Sequence, residues 1–292
     1  MLLAALVACS ETVAETSSRK AKIGALAETI RQLRGDELAI GVGFLSGAIR
    51  QGRIGVGYAT VMKLVVAPAA EPSLTLTEVD ATLTTIAETS GKGSTKARAD
   101  LLGRMLARAT MAEQPFLRAL LVGELRQGAL AGILNDAIAK AAEVPAASVR
   151  RAVMLSGDHG RVARAALEEG EPALGRFALE LFRPLMPMLA QPCDDADEAI
   201  GKLGEAAVEL KMDGARVQVH KRGDEVAVYT RKLKVVTKAV PEVVALARAL
   251  PAEEIVLDGE VIALMDDGRP HAFQTTMRRF GRKLNVASER AK

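Results

Sequence analysis

Apolar and polar positions change their spacing once along this chain. From residue 10 to about residue 183, apolar residues recur three and four apart, the period of a helix with one buried face, and glycines mark the turns between runs. Ser17 or Ser18 can cap a helix whose Ile23, Leu26, Ala27, Ile30 and Leu33 share a face, with Gly35 placed to end it. The same spacing predicts helices over Val79–Thr89, Ala97–Ala109, Pro115–Glu124, Ala131–Ala142, Ala146–Leu155 and Gly160–Glu168. Each such face must pack on another, so the first part is a multi-helix domain. The opening MLLAALVACS ends in Leu6-Val7-Ala8-Cys9, which imitates a lipoprotein cleavage box. No Lys or Arg precedes it, and its apolar run is at the short end of the roughly 7 to 15 residues of a signal core, so it reads as the first amphipathic helix. No apolar run approaches the roughly 20 residues that span a bilayer.

The texture changes at RPLMPMLAQPCDDADEA, Arg183–Ala199, where Pro184, Pro187 and Pro192 stop helices and an acidic cluster follows. This places a helical domain at residues 1–183, a linker at 184–199 and a second domain at 200–292. Beyond the break the period becomes two. The run from Ala207 to Leu233 alternates on either side of a tight Gly223-Asp224 turn, which reads as a hairpin. A helix over Val240–Leu250 and a further β stretch, EEIVLDGEVIAL, complete an α+β pattern.

Composition adds bounds. With 292 residues, 49% apolar and 26% charged, the chain suits two globular domains with sizeable interiors even without tryptophan, a composition that argues against disorder. The net charge of +3 permits a polyanionic partner. Residues 1–190 hold 22 Lys+Arg against 19 Asp+Glu and residues 191–292 hold 17 of each, so the basic excess belongs to the helical part. Cys9 and Cys193 lie far apart without metal-type spacing, which fits a reducing compartment, the cytoplasm. His159, His220 and His271 show no ligand spacing either.

Three glycine-rich turns interrupt the helices: Gly47–Ala59, Ser90–Arg98 and Gly123–Gly132. Each is either a plain bend or a helix start that offers backbone N–H groups and a nearby Arg or Lys to phosphate oxygens. GKGST at residues 91–95 lacks the P-loop order, and GRIGVG lacks a dinucleotide-binding context.

The densest chemistry lies in ELKMDGARVQVHKRG, Glu209–Gly223. If residues 209–213 are extended, Glu209, Lys211 and Asp213 project to one face while Leu210 and Met212 are buried on the other. Gly214 then marks a bend or close approach and Arg216 adds a fixed cation. An exposed strand edge with paired charges has the same pattern. Lys211-Met212-Asp213-Gly214-Ala215-Arg216 resembles the Lys-x-Asp-Gly-x-Arg signature of the covalent nucleotidyltransferases, the superfamily of DNA ligases, RNA ligases and mRNA capping enzymes. Leu257-Asp258-Gly259-Glu260-Val261 resembles the superfamily's Asp-Gly-Glu strand, and Thr230-Arg231 its intervening Ser-Arg element.

The resemblance implies that the Lys211 amine attacks the α-phosphorus of a nucleoside triphosphate, expels pyrophosphate and keeps the nucleotide as a phosphoramidate. It further implies that Glu209 recognises adenine, Arg216 and Arg231 hold ribose or phosphate, and Glu260 contacts ribose or a divalent metal. Attack requires the neutral amine. An ordinary lysine titrates near about 10.4, so cations such as Arg216 or a bound metal, together with desolvation, are expected to lower Lys211.

The first part resembles one branch of that superfamily. GFLSGAIRQGRIGVG (Gly43–Gly57), the long run Leu121–Ala163 and PLMPMLAQ (Pro184–Gln191) resemble the helical DNA-binding domain and connector of ATP-dependent DNA ligases of archaea and some bacteria. The implied fold is an all-α DNA-binding domain followed by the first part of an α+β nucleotidyltransferase (adenylation) domain. The implied cofactors are ATP and Mg²⁺, and the partner is nicked double-stranded DNA; a monomer is expected, and a sliding clamp is not readable from sequence. In the family an adenine-stacking aromatic, a second metal-binding glutamate, phosphate-contacting lysines and an OB-fold follow, whereas this chain stops at Lys292. The 292-residue chain alone is therefore expected to adenylate poorly. Arg278, Arg279, Arg282 and Lys283 form a basic run that either touches DNA or is a solvated helix face. Two alternatives stay open: a non-catalytic nick- or duplex-binding protein, and an RNA ligase or capping-type enzyme.

Overall fold

The computed structural model describes residues 1–125, 131–188 and 192–281. The chain divides into two compact units, Met1–Ala178 and Leu179–Lys292. No helix among the described residues is long and apolar enough to cross a membrane.

The first unit is helical: α1 (Leu3–Glu15), α2 (Arg19–Gln32), α3 (Asp36–Leu45), α4 (Tyr58–Lys63), α5 (Leu76–Glu88), α6 (Ser94–Ala107), α7 (Glu113–Val122), α8 (Ala131–Ala142), α9 (Ala146–Ser156), α10 (His159–Glu169) and the short α11 (Glu171–Leu174). Ser18 caps α2 by accepting the Ala21 N–H, and the face of Leu26, Ala27 and Ile30 is buried as its spacing requires. The end of α2 corrects the sequence reading. The helix stops at Gln32 because Leu33 turns extended, which buries its side chain, and Gly35 with φ of 52° starts α3 instead of ending α2. The apolar spacing did not single out α3. Its Leu38, Ile40, Gly41, Val42, Phe44 and Leu45 are all buried, so no polar face gives it a period. Gly160 makes its packing on α10 possible, because a Cβ there would sit 3.0 Å from the Ala39 Cα and closer still to its carbonyl oxygen.

Thr75 and Glu78 close a capping box at the start of α5: the Glu78 N–H donates to Thr75 Oγ1 at 3.2 Å and the Thr75 N–H donates to Glu78 Oε2 at 2.9 Å. The Thr75 backbone bond, the Thr75 hydroxyl and the Arg108 guanidinium hold the Glu78 carboxyl down to about 2. Replacing Glu78 with glutamine is expected to cost the helical unit up to about 1 kcal/mol at neutral pH, discounted for its solvent exposure. The folded value lies below an unfolded value of about 4.3. The contribution is therefore complete above the unfolded value and fades as pH falls through the folded one. Urea melts of the two proteins are expected to differ at neutral pH and to converge near the folded value of about 2.

The second unit contains α12 (Ala196–Leu203), β1 (Ala215–Arg222), β2 (Glu225–Thr230), α13 (Pro241–Ala249), β3 (Glu254–Val261) and α14 (Phe273–Gly281). The sheet order is β2-β1-β3, antiparallel throughout, and Arg222 pairs with Glu225 across the Gly223-Asp224 turn. Val217, Val219, Val226 and Val228 turn one face of the sheet toward Val240, which caps α13, and Ala247 in its last turn. Lys221 lies on that buried face, and its ammonium reaches the carbonyls of Leu250 at 2.7 Å and Ala252 at 2.5 Å beyond the C-terminus of α13.

The opposite face of β1 carries Arg216, Gln218, His220 and Arg222, and residues 182–188 run along it as a strap. The acidic stretch after the prolines is not all irregular, since Asp195 caps α12 by accepting the Glu198 N–H.

Candidate functional site

The geometry corrects the expectation for residues 209–213. They form no strand; β1 begins only at Ala215, and Leu210 and Met212 are 88% and 49% exposed instead of buried. The physical reason is pairing: β3 accompanies β1 only as far as Val261 opposite Ala215, and no strand among the described residues continues the ladder. Lys211 thus stands on an irregular segment before the sheet, not at its edge.

Gly214 is the hinge between that segment and the sheet. A Cβ there would lie 2.6 Å from Ile262 Cγ2 and 2.9 Å from Glu260 Cγ, and closer still to the Val261 carbonyl oxygen, so only glycine lets the chain pass β3. Its N–H donates to Glu260 Oε1 at 3.2 Å. The first signature is thereby tied to the second.

Lys211 is 86% exposed, and its Nζ donates to Asp213 Oδ1 at 2.6 Å. That hydrogen bond and the charge of Asp213 hold the amine above the ordinary lysine value, with Glu260 adding in the same direction. The lowering expected from nearby cations is not found. Replacing Asp213 with asparagine is expected to bring Lys211 down, because the neutral amide removes the charge that favours the ammonium. An NMR titration of ¹³C-methylated lysines would measure both values; an unchanged Lys211 midpoint would contradict the assignment.

Arg216 is held from two sides. Asp258 accepts from its Nε at 3.0 Å and its Nη2 at 2.7 Å, and the Met188 carbonyl accepts from Nη1 at 3.0 Å. Asp258 raises the guanidinium further above its ordinary value. Glu260 faces Arg216 directly across the β1–β3 pair. Arg231, in the turn just after β2, lines one shallow depression with Pro187, Arg216, Gln218, Thr230 and Asp258. Glu209 is exposed, and no hydrogen bond or ion pair among the described residues links it to the others. Sequence reasoning gave Asp258 no role, although its position two residues before Glu260 on a strand puts both on one face.

No group of three or more His, Cys, Asp or Glu among the described residues could hold a metal ion. Glu260 nevertheless suits Mg²⁺, which commonly takes one or two protein carboxylates and completes its shell with phosphate oxygens and water. One Glu260 oxygen rests on the Gly214 N–H, and among the described residues no hydrogen bond takes the other.

In the helical unit the turn at residues 47–57 is pinned at both ends. Arg50 Nε donates to both oxygens of the buried Asp80 at 2.6 and 2.7 Å, and Gln51 Nε2 adds bonds to Asp80 Oδ1 at 2.8 Å and Thr84 Oγ1 at 2.9 Å. Arg98 Nη1 donates to the Gly55 carbonyl at 3.2 Å, and Ile54 is buried beneath the turn. Gly52 and Gly55 have φ of 62° and 70° and are exposed, so the bend is rigid and its backbone faces solvent. Gly93, with φ of 83°, begins α6, whose first turn carries Ser94 and Lys96. The third glycine-rich turn includes residues 126–130, outside the described residues, as are Arg282 and Lys283 of the basic run.

A lysine, a hinge glycine, a clamped arginine and a glutamate gathered at the end of a small sheet, in a chain that also carries a helix-rich region, define the adenylation portion of a covalent nucleotidyltransferase. Two family models narrow the class: "ATP dependent DNA ligase domain" matches residues 187–292, and "DNA ligase N terminus" matches residues 66–139. The chain belongs to the ATP-dependent DNA ligase family. A "Probable DNA ligase" of Anaeromyxobacter sp. (strain Fw109-5) is 55% identical over 292 residues, covering 99% of this chain and 56% of that protein. One of the same name from Saccharopolyspora erythraea is 54% identical over 281 residues, covering 96% and 55%. The chain spans about half the length of the curated relatives it matches. A solved structure titled "Pmar-Lig_Pre." shares the fold, with a TM-score of 0.50 at 18% identity over 96% of this chain and 53% of its own.

Proposed function

We propose that this chain supplies the DNA-gripping region and the nucleophile-bearing half of an ATP-dependent DNA ligase that seals nicks in duplex DNA through a lysine-AMP intermediate. The observation that supports it best is the junction at Gly214, which brings the segment bearing Lys211 against Glu260 while Arg216 and Arg231 line one depression beside them. In this reading Lys211 attacks the α-phosphorus, the bond to pyrophosphate breaks, and the AMP remains on Nζ. The amine sheds its proton first, and Asp213, 2.6 Å away, is the nearest acceptor. Arg216 and Arg231 hold ribose or phosphate, Glu209 reads adenine, and Glu260 contacts ribose or Mg²⁺. Bound Mg²⁺ would supply positive charge against the triphosphate oxygens. The AMP then passes to the 5′-phosphate of a nick, and the 3′-hydroxyl displaces it.

The pinned turn at residues 47–57 and the start of α6 provide backbone N–H groups and cations for phosphate contacts without base reading. Free cysteines at positions 9 and 193 suit a reducing, cytoplasmic setting. The test is label transfer from ATP or GTP to the complete protein, followed by a chase with nicked duplex. Label from ATP that moves to the nick supports a DNA ligase. Label from GTP alone would make it a capping-type enzyme, and no label with tight nick binding would make it a binding protein.

A further inference from the structure

Gln218 is a polar residue in an otherwise valine-rich stretch of β1, and it is only 5% exposed. A buried amide there is unfavourable unless both its donor and its acceptor are used. The strap meets both needs: the Leu185 N–H donates to Gln218 Oε1 at 2.8 Å, and Gln218 Nε2 donates to the Leu185 carbonyl at 2.6 Å. Two positions along β1, His220 Nδ1 accepts the Phe182 N–H at 2.9 Å, while the Tyr229 hydroxyl donates to the Phe182 carbonyl at 2.8 Å. Arg222 lies 5.8 Å from the centre of the Phe182 ring. In the other direction, Met188 presents its carbonyl to Arg216. Four alternating residues of one strand therefore hold the strap in a single register, and the register delivers one carbonyl to the arginine of the first signature.

A guanidinium has five N–H donors. Asp258 and the Met188 carbonyl take three of them from different directions, so the plane of Arg216 is fixed before any ligand arrives. Among the described residues nothing takes the two remaining donors, and Arg216 lines the depression with Thr230 and Arg231. Resting on the proposed ligase reading, we propose that Gln218 is a positioning residue: by gripping Leu185 it seats the Met188 carbonyl on Arg216 and so orients the arginine toward the nucleotide phosphate or ribose. Gln218 touches no ligand itself. It acts through the strap.

A double-mutant cycle in the complete protein tests this, with single-turnover adenylation at saturating ATP as the readout. Gln218→Leu is expected to slow adenylation by about tenfold, and Gln218→Glu, which turns a carboxylate oxygen onto the Leu185 carbonyl, by at least as much. In an Arg216→Ala background, Gln218→Leu is expected to cause no further loss, because the group it orients is gone. An equal loss in both backgrounds, or no loss from Gln218→Leu, would overturn the proposal. A second readout needs no catalysis: the NMR signal of the Arg216 Nε–H is expected to be sharp in the parent protein and broadened by exchange in the Gln218 variants. Failure to label the parent would refute the ligase reading alone, whereas an unchanged Arg216 signal would refute the positioning role whether or not the protein adenylates.

Discussion

Replacing Gly214 with alanine will cut self-adenylation of the complete protein by on the order of a hundredfold, since misplacing a reacting group by about an ångström has that effect. The added methyl has nowhere to go. It would meet Ile262 Cγ2 at 2.6 Å, Glu260 Cγ at 2.9 Å and, nearer still, the backbone oxygen of Val261. A flexible side chain could swing aside, but a strand carbonyl cannot, so the segment carrying Lys211 must lift away from β3. The Gly214 N–H then leaves Glu260, separating the two signatures. Overpacking of this kind costs about 1–3 kcal/mol, so the unit should fold with a lowered thermal midpoint. Gly259 is the control. A Cβ at that position meets nothing within 4 Å, and Gly259→Ala is expected to leave the midpoint unchanged. Equal effects at the two glycines would show that close packing at Gly214 is not what matters.

Removing the Lys211 amine has the larger expected effect. Lys211→Ala should abolish detectable AMP transfer, a loss of at least about a thousandfold, because no bond to phosphorus can form without the nucleophile. The side chain is 86% exposed and, among the described residues, bonded only to Asp213, so thermal midpoint and duplex binding should be unaffected. Lys211→Arg separates charge from nucleophilicity, since a guanidinium keeps the cation and stays protonated. It is expected to be as inactive as the alanine variant. Activity retained in Lys211→Arg would mean that this position contributes only charge.

How much of this was legible in the sequence depended on how local each signal was. The Ala131–Ala142 helix came through with its bounds and the Gly223-Asp224 turn in its place, although the strands on either side are shorter than the alternating run, because period and turn chemistry are local. Gly35 misled because glycine ends helices and also begins them, and the choice rested on the burial of Leu33 by other helices. Leu210 and Met212 misled for the opposite reason: alternation predicts a strand, but a strand needs a partner, and β3 pairs no farther than Ala215. The strap was invisible. Its hydrogen bonds go to Arg216, Gln218, His220 and Tyr229, from 28 to 47 residues away, and its prolines read as a plain break. Lys211, Arg216 and Glu260 were singled out through their signatures, whereas Asp258 stood inside one of those signatures without a role and Gln218 belongs to none.

The proposed reaction turns on a covalent bond at one atom. Incubating the complete protein with ATP and Mg²⁺, digesting it and mapping the adenylated peptide by mass spectrometry reads that bond directly. The predicted result is a single AMP adduct on Lys211, removed by pyrophosphate or by nicked duplex; an adduct on another residue would contradict it.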